Sequence, residues 1–280
     1  MKVYSPKVVN ELLKRYSLSP QKRFSQNFLV DENTLVKIAN AAPLNSYIIE
    51  IGPGLGALTL LLAKRSKKVL AYEIDRGLFE ALHMILENEN NVFVKNEDAL
   101  KADFLADAKE HFGDNDFFVV ANLPYNITTP IIMRFLEENL PVSGMVLMMQ
   151  KEVAQRICNE GDKSALTIAV SFYSKAHILF NVSKNSFLPK PEVDSSVVNF
   201  DIVNREFEFK KEFFEITRAL FAMKRKTVEN NFASAFRVKK DVASTFFKDL
   251  DLNPSYRAQQ FSTEDFLKMA KNLKNFLKNY

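Results

Sequence analysis

Four consecutive residues, Asn122, Leu123, Pro124 and Tyr125, have the chemical groups needed to hold an amine for reaction. They directly follow the apolar run 117–121, so they are expected to lie where a strand ends. The Asn122 side-chain oxygen and the Leu123 carbonyl can accept from the two N–H bonds of an exocyclic amine such as that of adenine. Pro124 restricts the preceding backbone, and Tyr125 offers a face on which a base can stack. The stretch predicts positional and electrostatic catalysis, with a simple strand-end turn as the alternative for these four residues alone.

A glycine-rich segment, EIGPGLGAL at 50–58, follows an earlier apolar run and precedes a helical pattern. Gly52, Gly54 and Gly56 allow the backbone to turn sharply and to approach a ligand closely. The Gly-x-Gly-x-Gly spacing differs from the dinucleotide fingerprint, and Glu50 disfavours a pyrophosphate. The segment therefore favours a nucleoside ligand with a cationic part, which suits S-adenosylmethionine. A glycine turn required only for packing a strand against a helix is the alternative.

Two further acids follow the next apolar runs. Glu73 ends the second run, about 20 residues after the glycine loop, where a carboxylate can hold the two hydroxyls of a ribose. Asp98 follows the third run and can accept a hydrogen bond from an adenine amino group. Because the carboxyl ends of parallel strands meet at one edge of a sheet, we expect Glu50, Glu73 and Asp98 to surround one ligand. The predicted cofactor is S-adenosyl-L-methionine.

The elements that must position these groups are short apolar runs separated by amphipathic stretches. This alternation predicts an α/β fold with a doubly wound, Rossmann-like sheet whose strands are buried on both faces. Together with the predicted cofactor site, it is expected to be an S-adenosylmethionine methyltransferase sheet. The alternating stretch 195–203 is expected to be a late, antiparallel edge strand. The predicted strands before it are 47–51, 69–74, 92–95, 117–121 and 145–149.

Beyond about residue 205 the pattern becomes helical. We therefore predict two domains: a methyltransferase domain over 1–204, and a small, basic helical domain over 205–280 that is a candidate for binding RNA. The STED sequence at 262–265 predicts the N-terminal cap of the last helix. The predicted helices are 210–223, 227–237, 239–250 and 263–278.

Composition excludes several classes of protein. No apolar run approaches the roughly 18 residues that cross a bilayer, and residues 1–16 contain no apolar signal region. Cys158 is the one cysteine, so no internal disulfide forms and a reducing, cytoplasmic location is expected. The three histidines, at 83, 111 and 177, show no metal-ligand spacing, so no metal is expected.

Positive charge is concentrated at both ends of the chain. Residues 1–30 carry six Lys and Arg against one acid, and residues 205–280 carry 16 against 10, while the whole chain has a net charge of +4. Basic ends around an acidic middle favour a polyanionic partner. The run 224–226 can grip phosphates, with a solvated helix face as the alternative. Segment 1–20 is interpreted either as an RNA-clamping arm or as a helix on the body.

Taken together, these and other segments resemble the ribosomal RNA adenine N6-dimethyltransferases, with the bacterial small-subunit (16S rRNA) type as the nearest match. The resemblance covers about residues 20–235. The matching segments are KRFSQNFLVD (22–31), EIGPGLGALT (50–59), YEID (72–75), EDAL (97–100), NLPYNITTP (122–130), QKEVAQRI (150–157), FLPKPEVDSSVV (187–198) and FAMKRKTVENNF (221–232).

The resemblance implies an enzyme that dimethylates two adjacent adenines in the hairpin loop near the 3′ end of small-subunit rRNA. It implies that Phe187 stacks the target base opposite Tyr125, and that the substrate is an immature 30S-type subunit whose maturation the protein assists. The chain is expected to act as a monomer, without a membrane or a metal. The implied cofactor contacts are Asn27, Leu29, Gly52, Gly54, Glu73, Asp98 and Asn122.

Two segments depart from the family pattern. Ser25 replaces a glycine near the cofactor, so the local backbone is expected to differ. Segment 159–173 is short and lacks the family's Tyr-Gly and Arg, which changes any RNA contact made there but no methyl-transfer residue.

Three other functions fit parts of the sequence. A large-subunit rRNA adenine methyltransferase shares the pocket motifs, but segments 187–198 and 221–232 favour the small-subunit type. A DNA adenine methyltransferase fits less well, because no additional target-recognition domain is evident. A non-catalytic ribosome assembly factor on the same fold belongs to a different class, and loss of methylation without loss of subunit maturation would distinguish it.

Overall fold

The computed structural model describes residues 2–16, 18, 26–158, 163–203 and 207–279. Ser25 lies outside these residues, as do parts of segments 1–20, 22–31 and 159–173. The strands, in chain order, are β1 (Phe28–Leu29), β2 (Tyr47–Ile51), β3 (Lys68–Tyr72), β4 (Val92–Lys95), β5 (Phe117–Asn122), β6 (Val142–Gln150), β7 (Ser174–Val182), β8 (Phe187–Leu188) and β9 (Ser195–Ile202).

Helices follow most of the strands, as the alternating pattern predicts. Several begin at side-chain caps, because the first N–H groups of a helix lack internal partners. Ser262 accepts from the Asp265 N–H and Asp265 accepts from the Ser262 N–H, which confirms the predicted cap. The helices are α1 (Pro6–Arg15), α2 (Glu32–Ala41), α3 (Ala57–Ala63), α4 (Arg76–Ile85), α5 (Phe104–Phe112), α6 (Thr128–Glu137), α7 (Lys151–Cys158), α8 (Ala165–Tyr173), α9 (Lys210–Phe221), α10 (Val228–Phe236), α11 (Lys240–Asp249) and α12 (Thr263–Leu277).

A seven-stranded sheet has the order β4-β3-β2-β5-β6-β9-β7. The pairs β2–β3, β3–β4, β2–β5 and β5–β6 are parallel, whereas β6 and β9 are antiparallel. The chain proceeds from β2 to the β4 edge and then returns to β5 on the other side of β2. This reversal creates the switch point beside which ligands bind in doubly wound sheets. The predicted α/β fold class is confirmed.

The central strands are apolar except near their carboxyl ends, where Glu50 of β2 and Asn122 of β5 lie, because helices cover both faces of the sheet. Ile48 and Ile49 of β2 and Val119 and Val120 of β5 are completely buried. Polar side chains in these positions would lose their contacts with water, so the apolar runs identify the strands. The five predicted parallel strands all form, within a few residues of their predicted bounds.

The interpretation of 195–203 is correct in direction but wrong in position. β9 is antiparallel to β6, as expected, but it lies between β6 and β7 and is therefore not an edge strand. The edge is β7, which the sequence analysis does not identify. Leu179 of β7 is exposed, so apolar and polar residues do not alternate cleanly along that strand.

Two compact units make up the chain. The first contains residues 1–135, 140–155 and 175–202; the second contains residues 136–139, 156–174 and 203–280. The second unit therefore includes two earlier segments besides the predicted 205–280. No helix in the described part of the chain is long and apolar enough to span a membrane.

The second unit is helical, and phenylalanine dominates its interior. The predicted helices at 210–223, 227–237, 239–250 and 263–278 all form with small shifts at their ends. Stacked and edge-on ring pairs, such as Phe232 with Phe246, connect the helices. The completely buried phenylalanines of this unit include Phe213, Phe214, Phe232, Phe247 and Phe266.

A buried asparagine holds the exposed loop between α9 and α10. The Asn231 side chain donates to the carbonyls of Leu220 and Met223, at 2.7 and 3.1 Å. These carbonyls lie where α9 ends, so Asn231 satisfies groups that have no partner within the helix. Residues 222–226, which include the basic run, are exposed beyond this anchor.

We predict that Asn231→Ala lowers the free energy of unfolding by about 1–3 kcal/mol, because the carbonyls of Leu220 and Met223 lose a buried donor. Urea unfolding measures this change. Asn230→Ala is the matched control, since Asn230 is less buried and donates to the Thr227 hydroxyl at the surface of α10. Equal losses for both variants would contradict an anchoring role for Asn231.

Candidate active site

A cavity of about 290 Å³ opens at the carboxyl ends of the parallel strands in the first unit. Glu50 and Gly52 reach it from the end of β2, Glu73 follows β3, and Asp98 follows β4. Every residue predicted for the site lies in its lining. These are Asn27, Leu29, Gly52, Gly54, Glu73, Asp98, Asn122, Leu123, Pro124, Tyr125 and Phe187.

The glycine loop adopts a backbone that other residues rarely allow. Gly52 and Gly54 have φ angles of 69° and 61°, in the left-handed region. A Cβ atom on Gly54 would lie 3.4 Å from the Phe28 ring. The loop is also fixed from below, because the Gly52 N–H donates to the Tyr72 carbonyl at 3.0 Å. The two glycines therefore expose backbone, without side chains, toward the cavity.

Glu73 lies beside this loop, as the sequence predicts. Its carboxylate accepts from the backbone N–H of Gly54 at 3.1 Å and of Asp75 at 2.9 Å. Burial raises the pKa of Glu73 to about 7, although these N–H donors oppose the shift. Glu73 thus connects the end of β3 with the glycine loop and presents a carboxyl group to the cavity.

Glu50 is the most deeply buried acid of the cavity, with 1% of its surface exposed. Burial raises its pKa to about 8; the neighbouring Thr59 hydroxyl opposes this shift, and the charge of Glu73 adds to it. Within the described residues, neither Oε2 of Glu50 nor the Thr59 hydroxyl has a hydrogen-bond partner of ordinary geometry. A buried acceptor that faces a cavity without a donor fits a ligand with an ammonium or sulfonium group.

Asp98 is positioned by its own loop. Its side chain accepts from the Leu100 N–H at 2.9 Å. Arg134 of α6 donates to the carbonyls of Ala99 and Ala102, at 2.6 and 2.8 Å. The helix that follows the Asn122–Tyr125 stretch therefore also holds the loop that carries Asp98.

The N-terminal motif reaches the cavity through a small second sheet. β1 and β8 pair antiparallel, with Leu29 opposite Phe187. This pairing brings together two segments that are more than 150 residues apart in the sequence. It explains how Asn27, Leu29 and Phe187 line one cavity.

Helix α1 packs on the body of the first unit. Its Val9, Leu12 and Leu13 are buried in a cluster with Phe28 and Leu55. Of the two interpretations of segment 1–20, the structure therefore favours a helix on the body for residues 6–15.

The Asn122–Pro124 stretch leaves β5 at the cavity rim. The Asn122 side-chain nitrogen lies 3.4 Å from the Asn27 carbonyl, to which it donates. This contact assigns the nitrogen to the protein and leaves the amide oxygen as the acceptor available to a ligand. The Leu123 N–H donates to the Met148 carbonyl at 3.2 Å, and the Pro124 carbonyl accepts from Ile127. The backbone around Leu123 is therefore fixed on both sides.

Tyr125 and Phe187 supply aromatic surface to the same cavity. The Tyr125 hydroxyl is 2.9 Å from the Ser195 hydroxyl, and burial raises its pKa. Phe187 is 5% exposed. The two rings come from segments far apart in the chain, and the site gathers both with Asn122.

Several lining residues are absent from the sequence prediction. Gln26, which donates to Asp75 at 3.1 Å, lies next to a predicted residue within the same motif. Val3 and Val9 also line the cavity, but only their apolar type signals burial. Among the described residues, no group of three or more His, Cys, Asp or Glu is arranged to hold a metal ion.

Solved structures with the same fold identify the class of protein. The crystal structure of a dimethyladenosine transferase from Plasmodium falciparum matches with a TM-score of 0.69 and 28% identity, covering 88% of this chain and 97% of that one. The crystal structure of the 23S rRNA methyltransferase ErmE shares the fold with a TM-score of 0.63 and 24% identity, covering 89% and 100%. Fold and site together define a Rossmann-like methyltransferase with a helical C-terminal region.

Sequence comparison identifies the family within that class. The model of the family described as ribosomal RNA adenine dimethylase matches residues 18–275. Proteins named ribosomal RNA small subunit methyltransferase A are 39% identical in Staphylococcus carnosus and 41% identical in Geobacillus thermodenitrificans. These matches cover 98% and 97% of this chain, and 97% of each relative. The chain belongs to the ribosomal RNA adenine dimethylase family, which confirms the resemblance inferred from the motifs.

We predict that the free energy of unfolding falls as pH rises from about 5 to 8 in the absence of ligand. Glu50, with a pKa of about 8, keeps its proton in the folded chain across this range, whereas the unfolded glutamate loses it above 4.5. Such a carboxyl contributes up to about 1.4 kcal/mol per pH unit. Glu50→Gln, which does not titrate, should give a shallower fall in urea unfolding.

Glu87→Gln is the control for this prediction, because Glu87 is exposed. Glu73, with a pKa of about 7, should account for part of the remaining slope. Parallel pH profiles for the Glu50→Gln variant and the unmodified chain would contradict the assignment.

Proposed function

We propose that this protein uses S-adenosylmethionine to dimethylate N6 of two adjacent adenines in the 3′-terminal hairpin loop of small-subunit (16S) rRNA. The observation that carries the proposal is a single cavity with two parts. Acids and a glycine loop form one part, and the Asn122–Tyr125 stretch with Phe187 forms the other. A methyl donor and an acceptor base both need a place in such a site. The family membership supports the reaction, and the names of the relatives support the small subunit.

The acids and glycines are proposed to bind the cofactor. When bound, S-adenosylmethionine supplies a methyl group that its sulfonium already activates. Glu73 is proposed to accept from the ribose hydroxyls and Asp98 from the adenine amino group, while the backbone of Gly52 and Gly54 permits close approach. Glu50 provides a buried acceptor on the same wall. Asn27, Leu29 and Asn122 complete the proposed contacts.

The Asn122–Pro124 stretch is proposed to activate the acceptor amine. The lone pair of an adenine amino group is delocalised into the ring, so the nitrogen is a weak nucleophile. The Asn122 oxygen and the Leu123 carbonyl accept from its two N–H bonds and favour a tetrahedral nitrogen with an available lone pair. Pro124 restricts the Leu123 backbone, so this acceptor is fixed before the base arrives. No strong base is required, because the proton can leave after methyl transfer.

Tyr125 and Phe187 are proposed to hold the base between their rings. Stacking of a base on an aromatic side chain contributes roughly 1–3 kcal/mol per base and does not require the base to be paired. Because the target adenine must leave its neighbours to enter the cavity, this contribution offsets part of the cost of unstacking.

The basic second unit is proposed to bind rRNA outside the cavity. The exposed loop 222–226 carries three consecutive cations, and Asn231 fixes its base. We propose that these cations contact phosphates of an immature 30S-type subunit, that the protein acts as a monomer in the cytoplasm, and that it assists subunit maturation.

The proposal is tested with labelled S-adenosylmethionine and small subunits from a strain that lacks this methylation. We expect label in dimethyladenine at two adjacent positions near the 3′ end of the rRNA, located by mapping the modified nucleotides. Absence of label on adenine, while a known enzyme labels the same subunits, would overturn the proposal. Label on large-subunit rRNA instead would favour the large-subunit alternative.

We predict that Asn122→Ala lowers the methylation rate by about a hundredfold or more, because one of two acceptors at the reacting nitrogen is lost. Single-turnover methylation of small subunits measures the effect. Asn115→Ala is the control: it removes another amide that donates to a backbone carbonyl, that of Phe112 at 2.6 Å, outside the cavity lining. Comparable losses for both variants would count against the acceptor role.

We also predict that replacing Lys224, Arg225 and Lys226 by Gln reduces the salt dependence of rRNA binding. Each lost phosphate contact should lower the slope of log affinity against log salt by about 0.7–0.9. Lys271, Lys274 and Lys278, exposed on α12 and at its C-terminal cap, provide a control triple with the same change of charge. An unchanged slope for the loop variant would argue that 224–226 is a solvated surface.

A further inference from the structure

On the basis of the proposed function, we infer that Ser195 is a positioning residue for the base-stacking face of Tyr125. The VDSS sequence at 193–196 is part of the motif that contains Phe187, but none of the roles above involves its serines. The structure assigns Ser195 the task of fixing the Tyr125 ring through its phenol oxygen.

Tyr125 and Ser195 are in direct contact through their hydroxyl groups. The Tyr125 and Ser195 hydroxyls are 2.9 Å apart, which is hydrogen-bond distance for two hydroxyls. Ser195 is completely buried and stands first in β9, where it pairs with Gln150 of β6. A buried hydroxyl on a strand inside the sheet has little freedom to move. It therefore provides a rigid point to which the half-buried tyrosine is attached.

Without this contact, the side chain of Tyr125 could rotate. The turn that contains Tyr125 is closed by hydrogen bonds from Ile127 N–H and the Thr128 hydroxyl to the Pro124 carbonyl, at 3.1 and 3.3 Å. These bonds fix the backbone of the turn but not the two side-chain torsions of the tyrosine. The bond at the far end of the ring fixes the first torsion, which places the phenol oxygen, and it favours one setting of the second, because a phenol hydroxyl prefers to form hydrogen bonds in the plane of its ring. A stacking face held in this way keeps the base in line with the acceptors at Asn122 and Leu123.

The segment that leads into Ser195 also positions Phe187. Asp194 accepts from the Lys184 N–H at 2.9 Å, and its own carbonyl accepts from the Lys151 N–H at 3.0 Å. Asp194 thus closes the segment 184–194, in which Phe187 lies, and Ser195 follows immediately. One short segment therefore sets both aromatic faces, the first through its backbone and the second through the Ser195 hydroxyl.

The test is a double-mutant cycle of Ser195→Ala and Tyr125→Phe in the full chain. Ser195→Ala should lower kcat roughly threefold to tenfold, the effect of losing one orienting hydrogen bond, with KM for S-adenosylmethionine unchanged. Because the hydrogen bond needs both hydroxyls, the double variant should be no slower than the slower single variant. Calorimetric binding of S-adenosylhomocysteine gives the active fraction of each preparation and corrects for misfolded protein.

Ser196→Ala is the matched control. Ser196 is equally buried in β9, but its hydroxyl donates to the Asn181 side chain at 2.7 Å. It should change stability without changing kcat. The positioning role is overturned if the losses of kcat caused by Ser195→Ala and Tyr125→Phe multiply in the double variant. It is also overturned if Ser196→Ala lowers kcat as much as Ser195→Ala does. If the unmodified chain methylates rRNA and the Ser195→Ala variant has the same kcat, this inference alone is overturned. If the unmodified chain transfers no methyl group, the proposed function is overturned and the inference with it.

Discussion

The hydrogen bond from the Gly54 N–H to the Glu73 carboxylate connects the two parts of the backbone on which the site depends. It ties the loop after β2 to the residue after β3, and the Gly52 N–H adds a second tie to the Tyr72 carbonyl. Both bonds require a glycine loop in the left-handed region, which side chains would oppose. The cavity wall is therefore fixed by backbone groups, and the acids project from a rigid frame.

Two buried carboxyl groups line one small cavity, and burial disfavours the charged form of each. Burial raises the pKa of Glu50 and of Glu73; the charge of Glu73 adds to the shift at Glu50, and the charge of Asp75 adds to the shift at Glu73. A cationic ligand relieves this tension by giving the carboxylates an opposite charge. Shifted pKa values of this kind are common where acids line functional cavities.

The aromatic part of the site depends on contacts between distant segments. β1 pairs with β8, Tyr125 reaches Ser195, and Arg134 clamps the loop that carries Asp98. Each contact connects one sequence motif to another. The motifs are thus joined to one another, and the stretch after β5 is held to Asn27 through Asn122 and to Ser195 through Tyr125. This arrangement is consistent with a reaction that relies on position rather than on a strong acid or base.

Sequence alone determined the five parallel strands, the glycine loop, the acids and the helical C-terminal region. Apolar period, glycine spacing and the order of strand ends are local properties, and local sequence specifies them. The sequence does not identify the edge strand β7, because Leu179 breaks the alternation of apolar and polar residues. The prediction that 195–203 is an edge strand is wrong, because the order in which strands pair depends on contacts between distant residues. Segments 136–139 and 156–174 belong to the second compact unit, which only contacts across the chain reveal. The partners of Ser195, Asn231 and Arg134, and the burial that raises the pKa of Glu50, likewise required the tertiary structure, because each depends on groups far away in sequence.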